Sequence, residues 1–290
     1  MEKRIMVIGA HPDDPDFRCG GIAIKYARLG YQVKYLSMTN GCGGHHTMQP
    51  EELAERRYWE TQAVAKLAGI QYDVWRDSPD CELMATLENR KRLTRDIRRF
   101  NPDLILCCRP NDYHADHRNC ALLLQDAAYL LIVPNFCPDT PAMKKNPVIM
   151  YYQDAFQNPP FRADVIVDID DVIEEKFKLM DCHVSQVYEW LPFTNGILDQ
   201  VPTDPAERFE WLHCPRIPRD GSPLDEAILL NRDIGVHNEY REAVSTVKYR
   251  DRLIARYGEA GKKTLFSEAF EVSEYGSPLT KEAEKELFPF

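Results

Sequence analysis

The 290-residue sequence predicts an α/β fold, Rossmann-like and doubly wound, with a mainly parallel sheet flanked by helices. Three observations predict it. Short apolar runs alternate with longer amphipathic ones through the first two thirds of the chain, the pattern of βαβ units with right-handed crossovers. The run at 4–10 is apolar after Arg4, as expected of a strand buried on both faces. Loops rich in Gly, His and Asp follow several of these runs, at the strand ends where open α/β sheets bind ligands.

Residues 4–10 form the first strand, and 19–29 the helix that follows. A second strand spans 32–38 and ends in the glycine-rich loop 39–46. The stretch 51–68 is strongly helical, and Gly69 stops it. A third strand at 71–76 precedes a helix at 86–100, whose basic last turn suits the helix dipole. Asn101-Pro102 breaks that helix. The fourth strand, 103–108, leads into the loop 109–117 and a helix running to about residue 130. A Pro-rich surface connection, 134–147, leads to strands at 148–153 and 164–168, and 170–188 is helical. Prolines are frequent from 192 to 223, an amphipathic segment spans 224–257, and 264–272 is a strand or an irregular cover. Residues 1–190 are thus read as the core and 191–290 as an extension packed on it, in a single domain overall. The extension suits a lid or a contact between subunits of a homo-oligomer.

Composition narrows the function. The net charge of −10 disfavours non-specific binding to nucleic acid or to an anionic membrane. No apolar stretch approaches the length of a membrane span, so no membrane insertion is expected. The apolar run after Arg4 meets His11 too soon to be a signal peptide. Nine cysteines, scattered and without C-x-x-C pairs, argue against a disulfide framework or a thiolate zinc site and fit a reducing cytoplasm.

The chemistry concentrates in two loops. His11, Asp13, Asp14 and Asp16 follow the first strand; His114 and His117 follow the fourth. If the chain reverses direction at the fourth strand, these loops face each other across the ligand crevice. Two imidazoles and a carboxylate, here His11, Asp14 and His117, are a common ligand set for hydrolytic zinc with one position left open. Such a metal lowers the pKa of its water and polarises a carbonyl. Iron(II) suits the same donors. Asp13 stands where a base is needed, and His114 where an oxyanion or a leaving amine would meet it. Blander readings stand beside these. Asp14 or Asp16 can cap a helix. Arg57 can lie on a solvated helix face paired with Glu60. His45 and His46 read better as a flexible substrate loop than as a second metal site. His213 and His237, which belong to no motif, read as solvated or packed. The first loop lacks G-x-G-x-x-G, and its carboxylates would repel a pyrophosphate, which argues against a nucleotide-binding module.

His11-Pro12-Asp13-Asp14, followed by Gly20-Gly21, resembles the signature of the LmbE-like family of metal-dependent N-deacetylases, which includes the N-acetylglucosaminylphosphatidylinositol deacetylases. His114-Ala115-Asp116-His117 resembles its second signature, usually His-Pro-Asp-His. The resemblance spans most of 4–190 and continues weakly at Glu268-Ala269-Phe270. It implies His11, Asp14 and His117 as ligands, usually of Zn²⁺, Asp13 as general base, and His114 as the residue that assists the tetrahedral intermediate. It implies a small N-acetylated substrate, an amino sugar or sugar conjugate. Hydrolysis of another amide or ester, or a non-catalytic carbohydrate-binding role, are the alternatives. Arg57, in Arg57-Tyr58-Trp59-Glu60, matches a position near the substrate. His183, in His183-Val184-Ser185-Gln186, matches an element that supports the site. Three positions depart from the pattern. Ala115 replaces proline, Asp16 stands where Glu is common and is expected to support the site, and Cys42 stands where Asp is frequent, which bears on substrate preference.

Overall fold

The structure is a computed structural model describing residues 2–221, 224 and 238–290. Seven strands form one sheet in the order β3-β2-β1-β4-β5-β7-β6. They are β1 (Arg4–Gly9), β2 (Gln32–Ser37), β3 (Gln71–Val74), β4 (Leu104–Cys107), β5 (Val148–Tyr152), β6 (Val165–Asp168) and β7 (Ser267–Val272). Strands β1 to β5 are mutually parallel. Ile5, Met6, Val7 and Ile8 are fully buried, as a central strand covered by helices on both faces requires. Burying each such side chain contributes about 1.5–3 kcal/mol.

Strand β1 lies between β2 and β4, with Ile8 opposite Leu36 on one side and Cys107 on the other. The chain builds outward to β3, then returns to β4 on the far side of β1. The crevice between the carboxyl ends of β1 and β4 is therefore the switch point at which such folds bind ligands.

The helices of the first two thirds are α1 (Asp14–Arg28), α2 (Pro50–Ala68), α3 (Leu87–Phe100), α4 (Ala115–Ala128) and α5 (Ile173–Asp181). Helix α1 starts at Asp14, five residues before the expected start at 19. Pro15 sits in its first turn, where a missing N–H costs nothing, and Asp14 and Asp16 suit the positive end of the dipole. The expected helix at 170–188 is divided into a 3₁₀ turn, α5, and a π-helical segment at Ser185–Trp190.

The expected surface connection 134–147 is organised from below by one buried cation. The Arg98 guanidinium donates to the backbone carbonyls of Leu130, Leu131, Val133, Phe136, Cys137 and Thr140. Such a buried charge is tolerable because its N–H donors find acceptors.

Residues 191–290 do more than pack on the core. The uncertain stretch 264–272 yields β7, which runs antiparallel between β5 and β6 and completes the sheet. From β7, both carboxylate oxygens of Glu268 accept from α1, Oε1 from Gly21 N and Oε2 from Ile22 N, each at 2.8 Å. Lys176 Nζ lies between Glu268 (2.9 Å) and Glu242 (2.7 Å). This latch gives a physical reason for the weak resemblance at 268–270. Of the amphipathic segment 224–257, residues 238–257 carry short helices. The remainder apart from Leu224, including His237, lies outside the described residues. Among the described residues no helix is long and apolar enough to cross a membrane.

Candidate active site

The first loop folds back over the end of its own strand. Asp14 Oδ2 accepts from Ala10 N (2.9 Å) and His11 N (2.8 Å). A Cβ at Gly9 would lie 2.7 Å from Asp14 Cβ, so the absence of a side chain at Gly9 permits the approach. The second loop ends in α4, for which His114 is the N-cap: its Nδ1 accepts from Asp116 N at 3.1 Å.

Together the loops bring three donor atoms to one point. His11 Nδ1 and His117 Nε2 are 3.1 Å apart, and Asp14 Oδ2 lies 3.6 and 3.4 Å from them. Tetrahedral bonds of about 2.1 Å set their donor atoms about 3.4 Å apart, so the set has the spacing of a metal site. The charges fit as well. The carboxylates of Asp13, Asp14, Asp80, Asp112 and Asp116 gather here against the guanidinium of Arg57. Burial works against ionised Asp14, but the two imidazoles outweigh it and hold the carboxyl well below its usual range. Burial likewise opposes a charged His117, and Asp14 and Asp112 push its pKa up to about 10. A crowd of carboxylates that draws protons onto imidazoles is a site suited to a cation.

The far nitrogens of both rings face carboxylates, as ligand imidazoles usually do. His117 Nδ1 lies 3.1 Å from Asp112 Oδ1, which also accepts from His114 N at 3.0 Å. His11 Nε2 lies 3.0 Å from Asp80 Oδ1 and 3.4 Å from Asp116 Oδ2. Asp116, fully buried, also accepts from Cys81 N (2.7 Å) and Leu83 N (3.2 Å), which ties the loop after β3 to α4.

Asp13 is held from α2. Arg57 Nη2 lies 3.0 Å from Asp13 Oδ2, and Nη1 donates to Gly41 O at 3.1 Å. The solvated reading of Arg57 fails: the residue is 2% exposed, and its partner is Asp13 rather than Glu60. Gly41 has φ +69, and a Cβ there would lie 2.5 Å from Arg57 Nη1. Glu60 instead accepts from Ser185 N (2.8 Å) and Ser185 Oγ (2.6 Å).

Asp16 turns away from the donor set. Its Oδ2 meets His183 Nε2 at 2.8 Å, and both residues are fully buried. Burial opposes a charged His183, yet Asp16 raises its pKa. His45 is held by Glu189 (2.8 Å), and His46 stacks on Phe193 with ring centroids 4.3 Å apart. Gln186 donates to Gly44 O at 3.1 Å, so the π-helical segment secures the glycine-rich loop. Half-buried Cys42 lies in that loop, its N–H donating to Asn40 Oδ1. His213 is packed, stacked on Phe177 at 4.0 Å and 3.2 Å from Glu239.

Sequence reasoning missed Asp80 and Asp112. Asp112 shares a loop with His117 and was within reach of the argument. Asp80 lies in a stretch with no periodicity, and it is placed by Gly43 N, which donates to its Oδ2, and by Cys81 N and Leu83 N, which donate to the Asp116 carboxylate.

Fold and site define a Rossmann-like α/β protein with a His/Asp/His donor set at the switch point of its sheet. Residues 6–128 match the PIG-L family, described as GlcNAc-PI de-N-acetylase. Over 210 residues the chain is 30% identical to the diacetylchitobiose deacetylase of Thermococcus kodakarensis, covering 67% of this chain and 76% of that protein. The chain belongs to the PIG-L family of de-N-acetylases. The N,N'-diacetylchitobiose deacetylase of Pyrococcus horikoshii shares the fold, with a TM-score of 0.63 at 24% identity over 94% of this chain and 84% of that one. The 4-oxalmesaconate hydratase of Pseudomonas putida is 24% identical over 207 residues, 69% of this chain and 80% of that protein.

Proposed function

We propose that this protein is a metal-dependent hydrolase that removes the acetyl group from an N-acetylated amino sugar or sugar conjugate. The observation that carries the reading is the convergence of His11 Nδ1, Asp14 Oδ2 and His117 Nε2 beside Asp13 and His114. We assign Zn²⁺ to these three residues; Fe²⁺ suits the same donors. A cation held there polarises the acetyl carbonyl and makes water a nucleophile near neutral pH.

The chain's own residues do the rest. Asp13 takes the proton of the attacking water. Arg57 fixes Asp13 Oδ2, which leaves Oδ1 for that proton. Because His114 Nδ1 accepts from Asp116 N, the neutral ring carries its proton on Nε2. Burial and the neighbouring imidazoles lower the His114 pKa and keep the ring neutral. Its Nε2–H then donates to the oxygen that gains charge as the carbonyl carbon becomes tetrahedral. Asp13 returns its proton to the amide nitrogen, the C–N bond breaks, and acetate and a free amine leave. Asp112 orients His117, while Asp80 and Asp116 orient His11. Arg57 acts through Asp13, and the Asp16–His183 pair supports the loop from beneath.

We place the protein in the cytoplasm, where its free cysteines would stay reduced. The deciding experiment is acetate release from a panel of N-acetylated mono- and disaccharides, before and after metal removal, with hydration of unsaturated acids assayed beside it. Metal-dependent acetate release is expected. Hydration without acetate release would assign the chain to the chemistry named for the Pseudomonas relative.

A further inference from the structure

Three thiols meet behind His117 and take no part in the proposed reaction. Cys107 ends β4, Cys108 follows it, and Cys120 lies on the second turn of α4. No C-x-x-C spacing announces them; the return of the chain from β4 into α4 brings them together. They are 0%, 2% and 0% exposed. Cys107 Sγ lies 3.8 Å from both Cys108 Sγ and Cys120 Sγ, and the three sulfurs fall within 4.8 Å of one another. Cys108 Sγ also donates to His117 O at 3.1 Å. A buried cysteine that serves only as a small hydrophobe needs no second sulfur beside it. Cys19 and Cys137 are buried in that manner, and Cys137 Sγ donates to Lys91 O.

Sulfur is a soft donor, and sets of soft donors select Cu⁺ or Zn²⁺. Zn²⁺ in a structural site takes four ligands. No fourth His, Cys, Asp or Glu joins this group among the described residues. Three donors in a plane suit Cu⁺ instead. Metal–sulfur bonds of about 2.3 Å in that plane set the sulfurs about 4.0 Å apart, close to the two separations of 3.8 Å.

We propose that Cys107, Cys108 and Cys120 form a binding site for one Cu⁺ ion, separate from the His11, Asp14 and His117 donors. Cys107 and Cys120 lose their S–H protons to solvent and bind as thiolates. Cys108 keeps the proton that it gives to His117 O and binds through a sulfur lone pair, so the contact to His117 survives. The ion is neither oxidised nor reduced. The complex carries one negative charge, beside the positive end of α4. An ion enters past Cys108, the least buried of the three.

The test is an anaerobic titration of the full chain with Cu⁺ presented as its bicinchoninate complex. The wild type should take one equivalent from the dye and show the orange emission of a Cu⁺ thiolate shielded from water. X-ray absorption at the copper edge should find a shell of sulfur alone. Cys107→Ala and Cys120→Ala should each lose the emission. Cys81→Ser and Cys214→Ser, which change exposed thiols, should keep it. Cys107→Val, which restores bulk in a strand, repeats the test if the alanine variants fold poorly. A shell containing nitrogen would place the ion on imidazoles and overturn the proposal. So would a dark wild type, emission that survives the Cys107 and Cys120 substitutions, or emission lost with Cys81→Ser or Cys214→Ser.

Discussion

Helix α1 passes between two clusters of buried charge that are arranged in opposite ways. At its middle, Lys176 sits between Glu242 and Glu268, and Glu268 also receives two backbone N–H groups of α1. That cluster is closed on itself. At its start, carboxylates crowd around two imidazoles whose nitrogens face each other at 3.1 Å. That cluster is left open, with an excess of negative charge. Low local dielectric makes satisfied networks rigid and unsatisfied ones costly. The closed cluster ties the last third of the chain to the first, and the open one keeps its charge for a ligand.

The sharpest break in this contrast is expected at Asp13. Asp13→Asn should lower the rate of acetate release by about 10²–10⁴-fold, the usual contribution of a general base. Metal content, measured on the purified variant, should not change. Metal loss in step with activity would make Asp13 part of the donor set. His117→Ala should lose both.

The closed cluster should respond in stability instead. Lys176→Met leaves two carboxylates buried without their cation and should cost about 3–5 kcal/mol in urea unfolding. The activity of the folded fraction should be kept. Burial opposes a charged Lys176, but Glu242 and Glu268 outweigh it and raise its pKa. A raised lysine pKa stabilises the fold fully below the unfolded value of about 10.4 and loses that effect as pH rises beyond it. The gap between wild type and variant should thus be flat from neutral pH to about pH 9 and shrink above about 10.4. A gap that widened with alkali would contradict the pairing.

The open cluster has its own stability signature. Chelation should lower the melting temperature and refilling restore it, because metal at 100 times its Kd stabilises the folded state by about 2.7 kcal/mol. Insensitivity of the melting temperature to chelator would mean that the excess charge is tolerated without a cation.

The contrast also explains what could be read in advance. Strands β1 and β4 are apolar apart from Arg4, and a reversal of the chain at β4 sets them side by side, so the convergence of His11, Asp14 and His117 was legible. Where α1 begins was less so, because Pro15 reads equally as a loop or as a first turn. The burial of Arg57 was hidden, since an arginine on an amphipathic helix looks solvated until the opposite loop brings Asp13 to it. Strand β7 was ambiguous because its partners β5 and β6 lie far away in sequence. Asp80 was invisible, carried by a turn whose position is fixed by Asp116 rather than by local pattern.

Asp112 offers the finest test, since it belongs to the open cluster yet is itself satisfied. Its Oδ1 serves both His117 Nδ1 and His114 N, so it sets the ring that faces the metal position and the backbone of its neighbour. Asp112→Asn keeps the shape and the acceptor oxygen but removes the charge. Metal affinity or activity should fall by about 10–100-fold, the range for groups that orient a ligand imidazole. Lost orientation of His117 should appear as weaker metal affinity, measured by competition with a chelating dye, with the rate recovered at saturating metal. Movement of His114 should instead leave affinity intact and lower the saturated rate. The first outcome is expected, because the contact to His117 joins side chain to side chain, whereas His114 is also held through its Nδ1 by Asp116 N.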